Sequence, residues 1–475
     1  MHDTTLHDGM TETTHRNQTT LLPLVGLGAA AVDLLAVYGF LGQRLYPLNP
    51  VWVYLLLYSI AFVTYAYAAG RLVPALAMPC SKITLPLILG GAALFRLAVV
   101  FAPPQLSTDI FLYIWDGRLI NHGINPYHWA PNALPLRFLR DAVWNQAEYK
   151  SYQSIYMPVS QGMFAFGNFV FGNNPVGYKF LYMLFDFGVI GLLLVLLKRL
   201  GRPLTQVIWY AWCPLPITEV SLAGHQDIVG VFFLLAAFAL AMRGGKTVPW
   251  VALLLAASVM TKGFSLLLIP LFARAHGRAF LLWAACGLLY LGMPLWVYLP
   301  EFLHGMHQYL ENVHVNAGMF GWVNLGLSLI TKHWHYPITE KLSDAAILGV
   351  TYWSVRRPIG SYPELLRRSL VVLGVTLLVI PTLFPWYLLW TLAFVPLLDR
   401  KPRFAFVLLS GTSALLYLYY YSFQAYWWVS VAEYGPFYLF LAWEIWKARA
   451  SHARDDLQHS GLLGDGRGAL GGARR

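Results

Sequence analysis

Charge is what this chain has least of. Of its 475 residues, 12% are Asp, Glu, Lys or Arg and 58% are hydrophobic. A soluble domain carries about a quarter charged residues, so a water-facing surface on all sides is excluded. Acids (22) are scarcer than Lys and Arg (33), giving a net charge of +11. The bases fall in short clusters between apolar runs, which reads as topology and attraction to anionic lipid; nucleic acid is not expected as a partner. Three cysteines, Cys80, Cys213 and Cys286, sit in or beside apolar segments at no metal-like spacing, so neither a disulfide framework nor a zinc site is implied. No Gly-rich loop follows a strand pattern, which removes a nucleotide site, and no internal repeat or second soluble domain is visible. The first 20 residues are polar, lacking the basic start and quick apolar core of a cleavable signal peptide. The first span is expected to serve as an uncleaved signal anchor.

What the chain does have is apolar runs of near-membrane length. They cover about 21–43, 51–70, 83–102, 176–197, 204–222, 226–243, 248–273, 279–299, 341–355, 368–398, 404–424 and 428–446. A helix needs about 20 residues to cross the hydrocarbon core. The expectation is an all-α polytopic membrane protein, a bundle of about 11–14 transmembrane helices, some short or broken. Its 18 Trp and 28 Tyr suit interfacial belts. Residues 1–20 are expected to be a disordered cytoplasmic terminus, 21–447 the multi-span domain, and 448–475 a disordered cytoplasmic tail rich in Gly, Asp and Arg. Arg71 and Lys82 mark a cytoplasmic loop by the positive-inside rule. The loops 103–154 and 301–340 then fall on the extracytoplasmic side, the first with short helices of its own.

Several runs carry their own interruptions. Pro158, Gly162 and Gly167 break 155–172, which reads as a re-entrant or half-inserted segment. Pro214 and Pro216 must bend 204–222. Lys262 lies mid-run in 248–273, where an unpaired lysine costs about 2.5–3.5 kcal/mol. A broken pair of short helices is expected there, with one continuous span as the rival. Pro385-Trp386-Tyr387 interrupts 368–398 in the same manner.

Residues 107–131 mix acids, an arginine, aromatics, Gly and Pro directly after an apolar run. Ser107 or Thr108 can cap a helix, Gly123 suits the residue just past its end, and Asn125-Pro126 stops continuation. Steps of three and four put Asp109, Leu112, Tyr113 and Asp116 on one face. Arg118 and Asn121 lie further round.

The pattern T-D-I-x-x-Y-x-W-D-G-R-x-x-x-x-G-x-N-P-Y over 108–127 resembles the first external loop of membrane glycosyltransferases of the GT-C class. It resembles most closely the bacterial polyprenyl-phosphate-mannose-dependent mannosyltransferases, and more distantly the eukaryotic enzyme adding the first mannose to the GPI anchor. Four later stretches follow in that family's order: Tyr156-Met157-Pro158, Gly224-His225-Gln226-Asp227, Thr261-Lys262 and Pro385-Trp386-Tyr387. The resemblance implies a GT-C-type bundle that transfers a hexose, mannose being the expected one. The donor is a polyprenyl-phosphate sugar and the acceptor a lipid or cell-envelope glycan. Transfer takes place at the extracytoplasmic face of the plasma membrane, among membrane lipids, with inversion. Asp109 matches the catalytic aspartate and is assigned the base. Asp116 is the second catalytic candidate, with an orienting or capping role as its alternative. Lys262 and Arg118 are candidates for the donor phosphate. Tyr113, Asn125, Tyr127, Tyr156, His225, Asp227, Trp386 and Tyr387 are candidate substrate contacts. His225 also suits a plain turn, Asp227 a helix start, and Trp386 and Tyr387 a membrane belt.

Family members often carry an acid where Thr108 stands, an Arg where Leu112 stands, and two prolines where this chain has Met157-Pro158. No cofactor is expected, with a divalent cation left open. Glu301, His304, His307, Glu311 and His314 recur at helical spacing, a set that suits an interfacial polar face better than a metal. The alternative function is a lipid-linked sugar transporter or flippase, which favours charges at the midplane and internal two-fold symmetry. The oligomeric state is not set by the sequence.

Overall fold

The computed structural model describes residues 5–43, 50–76, 81–104, 106–244, 246–313, 315–398, 403–422 and 427–459. The described residues form helices joined by turns, with no strand among them. Four helical stretches are long and apolar enough to cross a membrane: Leu22–Leu41, Val51–Leu76, Lys82–Val100 and Pro175–Arg199. Shorter apolar helices include Asp227–Ala241, Val248–Val259, Ala279–Leu291 and Phe404–Tyr419. The chain is an all-α polytopic membrane protein.

The breaks fall where Pro, Gly and charge require them. Helix Val248–Val259 stops, Lys262 is extended at φ −158°, and a 3-10 turn, Gly263–Leu268, restarts the chain. The broken pair, not the continuous span, is what forms. Helix Tyr362–Val379 likewise ends before the 3-10 turn Pro385–Leu388. The 204–222 run is more than bent. It divides into Leu204–Val207, Ile208–Ala211, Pro214–Pro216 and the π-helical turn Ile217–Leu222. Pro214 and Pro216 lack the N–H groups a continuous helix would need.

Two sequence-based expectations change, and a third segment takes definite form. Residues 155–172, read as re-entrant or half-inserted, supply one helix, Pro158–Phe171. At 14 residues it spans about 21 Å, too short to cross the bilayer. The first helix runs Thr5–Leu41, so residues 5–20 are helix where disorder was expected; Gly9 is the single Gly before Pro23 and no Pro intervenes. The last helix runs Trp427–His459, carrying helix into 448–459, where Ala, Arg, Leu and Gln favour it. Residues 460–475 of the expected tail, together with Cys80, His314, Arg400 and Lys401, lie outside the described residues.

Two contacts position the functional region. The helix Asp109–Asn121 crosses Pro158–Phe171 at Gly117, where a Cβ would lie 2.1 Å from the Phe164 carbonyl oxygen. Only glycine permits that approach. Deeper, Arg96 pairs with Asp186 at 2.6 Å, both side chains fully buried. Arg96 also donates to the carbonyls of Ala92 and Ala211, and the Tyr210 hydroxyl donates to Asp186 at 2.6 Å. This knot ties Ser81–Val100, Pro175–Arg199 and Ile208–Ala211 together.

Removing one partner of such a pair leaves a bare buried charge and costs about 3–5 kcal/mol. Asp186→Ala is therefore expected to lower the melting temperature of the detergent-solubilised protein sharply. The Arg96→Met, Asp186→Leu double variant should recover most of the loss. Unchanged melting in the single variant would show that the knot does not hold these helices.

Candidate active site

The residues that distant parts of the chain bring together line one cavity of about 370 Å³. Asp109 opens the helix Asp109–Asn121 as its first residue. The Ser107 hydroxyl accepts from the Asp109 backbone N–H at 3.2 Å, so the carboxylate is not used as the cap. Thr108, the other expected cap, makes no side-chain cap bond. At the far end Gly123 has φ +73°, and the N–H groups of Gly123 and Ile124 reach the carbonyls of Ile120 and Leu119. This is a Schellman ending, as the sequence predicts. The helix thereby presents Asp109, Leu112, Tyr113 and Asp116 to the cavity, the face expected from their spacing.

Asp109 stands one helical turn before Tyr113 on the cavity face. Burial raises its pKa above the ordinary carboxylate range, while His225 and Lys262 pull the other way. A carboxylate so raised is a stronger proton acceptor than a solvated one. Asp116 accepts from the Ser154 hydroxyl at 2.6 Å and from the Gln161 amide at 2.8 Å. It serves neither as the cap nor as the orienter of Arg118.

Lys262 also lines the cavity, from the break in 248–268. Its ammonium lies 2.8 Å from Asp227 Oδ1 and 3.8 Å from the centre of the Tyr387 ring. The same Asp227 oxygen accepts from the Trp390 indole at 3.1 Å, while Oδ2 is buried without a partner. Asp227 begins its helix, as expected, but it also holds Lys262.

The turn 224–227 is the hub behind this wall. Gly224 has φ +87°, with the Ile110 side chain 2.7 Å from where a Cβ would stand. His225 stacks on Trp386 with centroids 3.7 Å apart. Gln226 and the Thr261 carbonyl each lie 2.8 Å from the Ser160 hydroxyl. The turn thus grips the Pro385–Leu388 segment, the helix Pro158–Phe171 and the Thr261-Lys262 break at once.

Six expected contacts need correction, two of them His225 and Asp227, which do not line the cavity. Arg118 is not at the phosphate position: it donates to the Leu139 carbonyl, Asp141 and Asn173, each at 2.8 Å, on the far side of the helix. It lies nine positions after Asp109, which at about 100° per residue puts it on the opposite face of the helix. Asn125 closes a turn onto Tyr127 N–H and donates to the Pro294 carbonyl. Tyr127 is buried and donates to the Tyr156 carbonyl at 2.7 Å. Both support the wall from behind. Trp386 lines the cavity but lies between His225 and Phe384, whose ring is 4.5 Å away and tilted only 4°. Two rings at those separations cannot share one indole face without touching each other, so both faces are covered and a sugar meets only the edge. Tyr156 and Tyr387 do line the cavity.

Sequence reasoning missed Tyr149, Tyr152, Gln153, Phe264, Tyr309 and Phe384, all in the lining. Tyr149, Tyr152 and Tyr156 recur at steps of three and four, a signal present but unread. Tyr149 sits at φ +53°, a strained conformation for a bulky residue. Among the described residues no three His, Cys, Asp or Glu side chains converge on a point suited to a metal ion. His307 and Glu311 form one exposed pair at 3.1 Å.

Residues 21–278 match the profile of the MptA_B family, described as alpha-(1->6)-mannopyranosyltransferase, N-terminal domain. Neither a curated protein nor a solved structure matches the chain. The matched region supplies Asp109, Asp116, Asp227 and Lys262, while Tyr309, Phe384, Trp386 and Tyr387 lie beyond it.

Burial raises the Asp116 carboxyl from 3.8 to about 6 against the pull of its two hydrogen bonds. The folded value exceeds the unfolded one. The folded state is therefore favoured at pH values where both forms are protonated, and that advantage is lost as pH rises through about 6. The loss amounts to about 3 kcal/mol at about 1.4 kcal/mol per unit. Asp116→Asn should lack it, so the wild-type-minus-variant stability difference should fall between about pH 4 and about pH 6. A pH-independent difference in denaturation curves would show that Asp116 is not held as described.

Proposed function

Because this chain belongs to the MptA_B family of alpha-(1->6)-mannopyranosyltransferases, we propose that it transfers mannose from a polyprenyl-phosphate donor to a glycan or lipid-linked acceptor. The observation that carries this reading is one cavity lined by both a raised carboxylate, Asp109, and an ammonium near enough to act on it, Lys262. The lining is otherwise aromatic and apolar, suited to a sugar whose carrier remains in lipid. The family description makes an α(1→6) linkage the first one to test.

The reaction is a single displacement. Asp109 takes the proton from the acceptor hydroxyl. That oxygen attacks the anomeric carbon, the bond from this carbon to the phosphate oxygen breaks, and configuration inverts. The polyprenyl phosphate leaves with the electron pair, its charge met by Lys262. Tyr113 stands beside Asp109 on the same helix face. Asp227 and Tyr387 orient Lys262. The placement of Arg71 and Lys82 on one side of the second and third spans supports an extracytoplasmic cavity in the plasma membrane.

Membranes given radiolabelled polyprenyl-phosphate mannose should pass label to a glycan or glycolipid. General-base assistance contributes a factor of about 100 to 10,000, so Asp109→Asn should lose that much turnover while the protein still inserts. The rate should rise with pH as Asp109 loses its proton. Asp116→Asn should cost less. Label that crosses the membrane without changing its carrier would indicate a flippase, and full turnover in Asp109→Asn would remove the base from this mechanism.

Topology has its own check. Asn132 is exposed in the 103–154 loop. In a chain with Cys80, Cys213 and Cys286 replaced, Asn132→Cys should react with an impermeant thiol reagent in intact cells. Reaction only after permeabilisation would place the cavity on the cytoplasmic side.

A further inference from the structure

We propose that Glu219 and Tyr417 are positioning residues for the cavity, acting through His225 to fix Trp386 edge-on to the bound sugar donor. Neither lines the cavity, and nothing in the displacement itself requires them. Yet both belong to a chain of contacts that ends on a cavity wall. The Tyr417 hydroxyl lies 2.9 Å from each oxygen of the Glu219 carboxylate. Glu219 Oε2 lies 3.1 Å from His225 Nδ1, and the Glu219 carbonyl lies 3.2 Å from that same nitrogen. The His225 backbone N–H donates to the Glu219 carbonyl at 2.8 Å. Glu219 and His225 are each 1% exposed, and Trp386 is 3% exposed.

Two acceptors at Nδ1 place a proton there and fix the ring plane, because a flipped imidazole would forfeit both. His225 Nε2 is buried without a partner, so nothing on that side competes for the ring. The ring plane of His225 then sets that of Trp386, stacked 16° from parallel, and Phe384 closes the other face. Gly224, at φ +87° and closed in by Ile110, leaves the turn little room to relax. Other ionisable groups near the pair are Tyr54 beside Glu219 and Asp109 across from His225, which itself feels Lys262 and Asp227. A free indole could swing into the cavity and obstruct it; a held one keeps the volume open and offers an edge. The contribution is to donor binding, so it should appear in KM, with kcat preserved.

The kinetic arm of the test rests on the mannosyl-transfer reading. Glu219→Gln, nearly isosteric, should raise the donor KM about tenfold with kcat within about twofold, and Tyr417→Phe should do the same to a smaller degree. In a Trp386→Phe background, Glu219→Gln should change KM less than about twofold, since the residue it acts through is gone. Equal KM in both single variants, or a full tenfold effect persisting in the Trp386→Phe background, would overturn the proposal. A second arm needs no turnover. Full-length protein in detergent is treated with N-bromosuccinimide and indole oxidation is read by peptide mass spectrometry. Trp386 should become reactive in Glu219→Gln and Tyr417→Phe, while the neighbouring buried Trp390 stays protected. If both indoles react together, the fold is lost, and Tyr417→Phe alone decides. If Trp386 stays protected in both variants, the proposal fails whether or not the wild type transfers mannose. Exposure of Trp386 in the two variants but not in the wild type, with a wild type that transfers no mannose, would leave the positioning role standing and remove the function.

Discussion

The 2.8 Å contact between Lys262 and Asp227 is the constraint from which the rest of the site follows. A lysine in the middle of an apolar run must find a partner or a break, and here it has both. The chain stops being helical at Met260, and Lys262 takes an extended conformation. Its ammonium then reaches a carboxylate 35 positions earlier, at the first residue of another helix. Non-helical backbone at such a place needs other partners for its polar groups. They come from the helix Pro158–Phe171: Val159 N–H donates to the Met260 carbonyl at 2.8 Å, and the Ser160 hydroxyl lies 2.8 Å from the Thr261 carbonyl. That helix in turn crosses Asp109–Asn121 at Gly117 and supplies Gln161 to Asp116. One ion pair thus fixes the register of four segments that are far apart in sequence.

The cavity joins two unlike halves. The ionisable groups come from residues 109–262 and rest on a backbone held by short polar turns. The aromatic wall at Tyr309, Phe384, Trp386 and Tyr387 comes from residues past 300. The two meet at His225 on Trp386 and at Lys262 on Tyr387. The second half is anchored separately. Thr382 donates to the Val313 carbonyl, and Asn316, at φ +58°, donates to the Leu383 carbonyl and to Glu433.

Legibility in the sequence followed the physical range of each signal. The breaks were readable, because Pro385 and the mid-run Lys262 act on their own neighbours. So was the shared face of Asp109, Leu112, Tyr113 and Asp116, which helical spacing alone determines. Partners chosen by tertiary packing were not. Nothing local says that Arg118 turns to Asp141 rather than to the cavity, or that Asp227 serves Lys262 as well as its own helix. Trp386 read as a sugar platform or belt residue because neither His225 nor Phe384 could be placed against its faces. Disorder at residues 5–20 was inferred from polarity, yet polarity without Pro also permits a helix continuing from a span.

The charge arrangement imposes a direction on the proposed chemistry. Before reaction the ammonium of Lys262 is already neutralised by Asp227, so the donor phosphate adds negative charge to a cavity that also holds Asp109. Burial makes that charge costly, as the raised pKa of Asp109 shows. Proton transfer from the acceptor relieves it, because Asp109 becomes neutral in the same step that sends negative charge to the departing phosphate. The field that resists ionisation of Asp109 therefore favours its protonation in the transition state. Lys262 remains between Asp227 and the phosphate, able to lean towards either, with its ammonium over the Tyr387 ring. A fully solvated carboxylate or an unpaired lysine would lose this coupling. The partial burial of the pair is thus part of how the site would work, not only of how the helices pack.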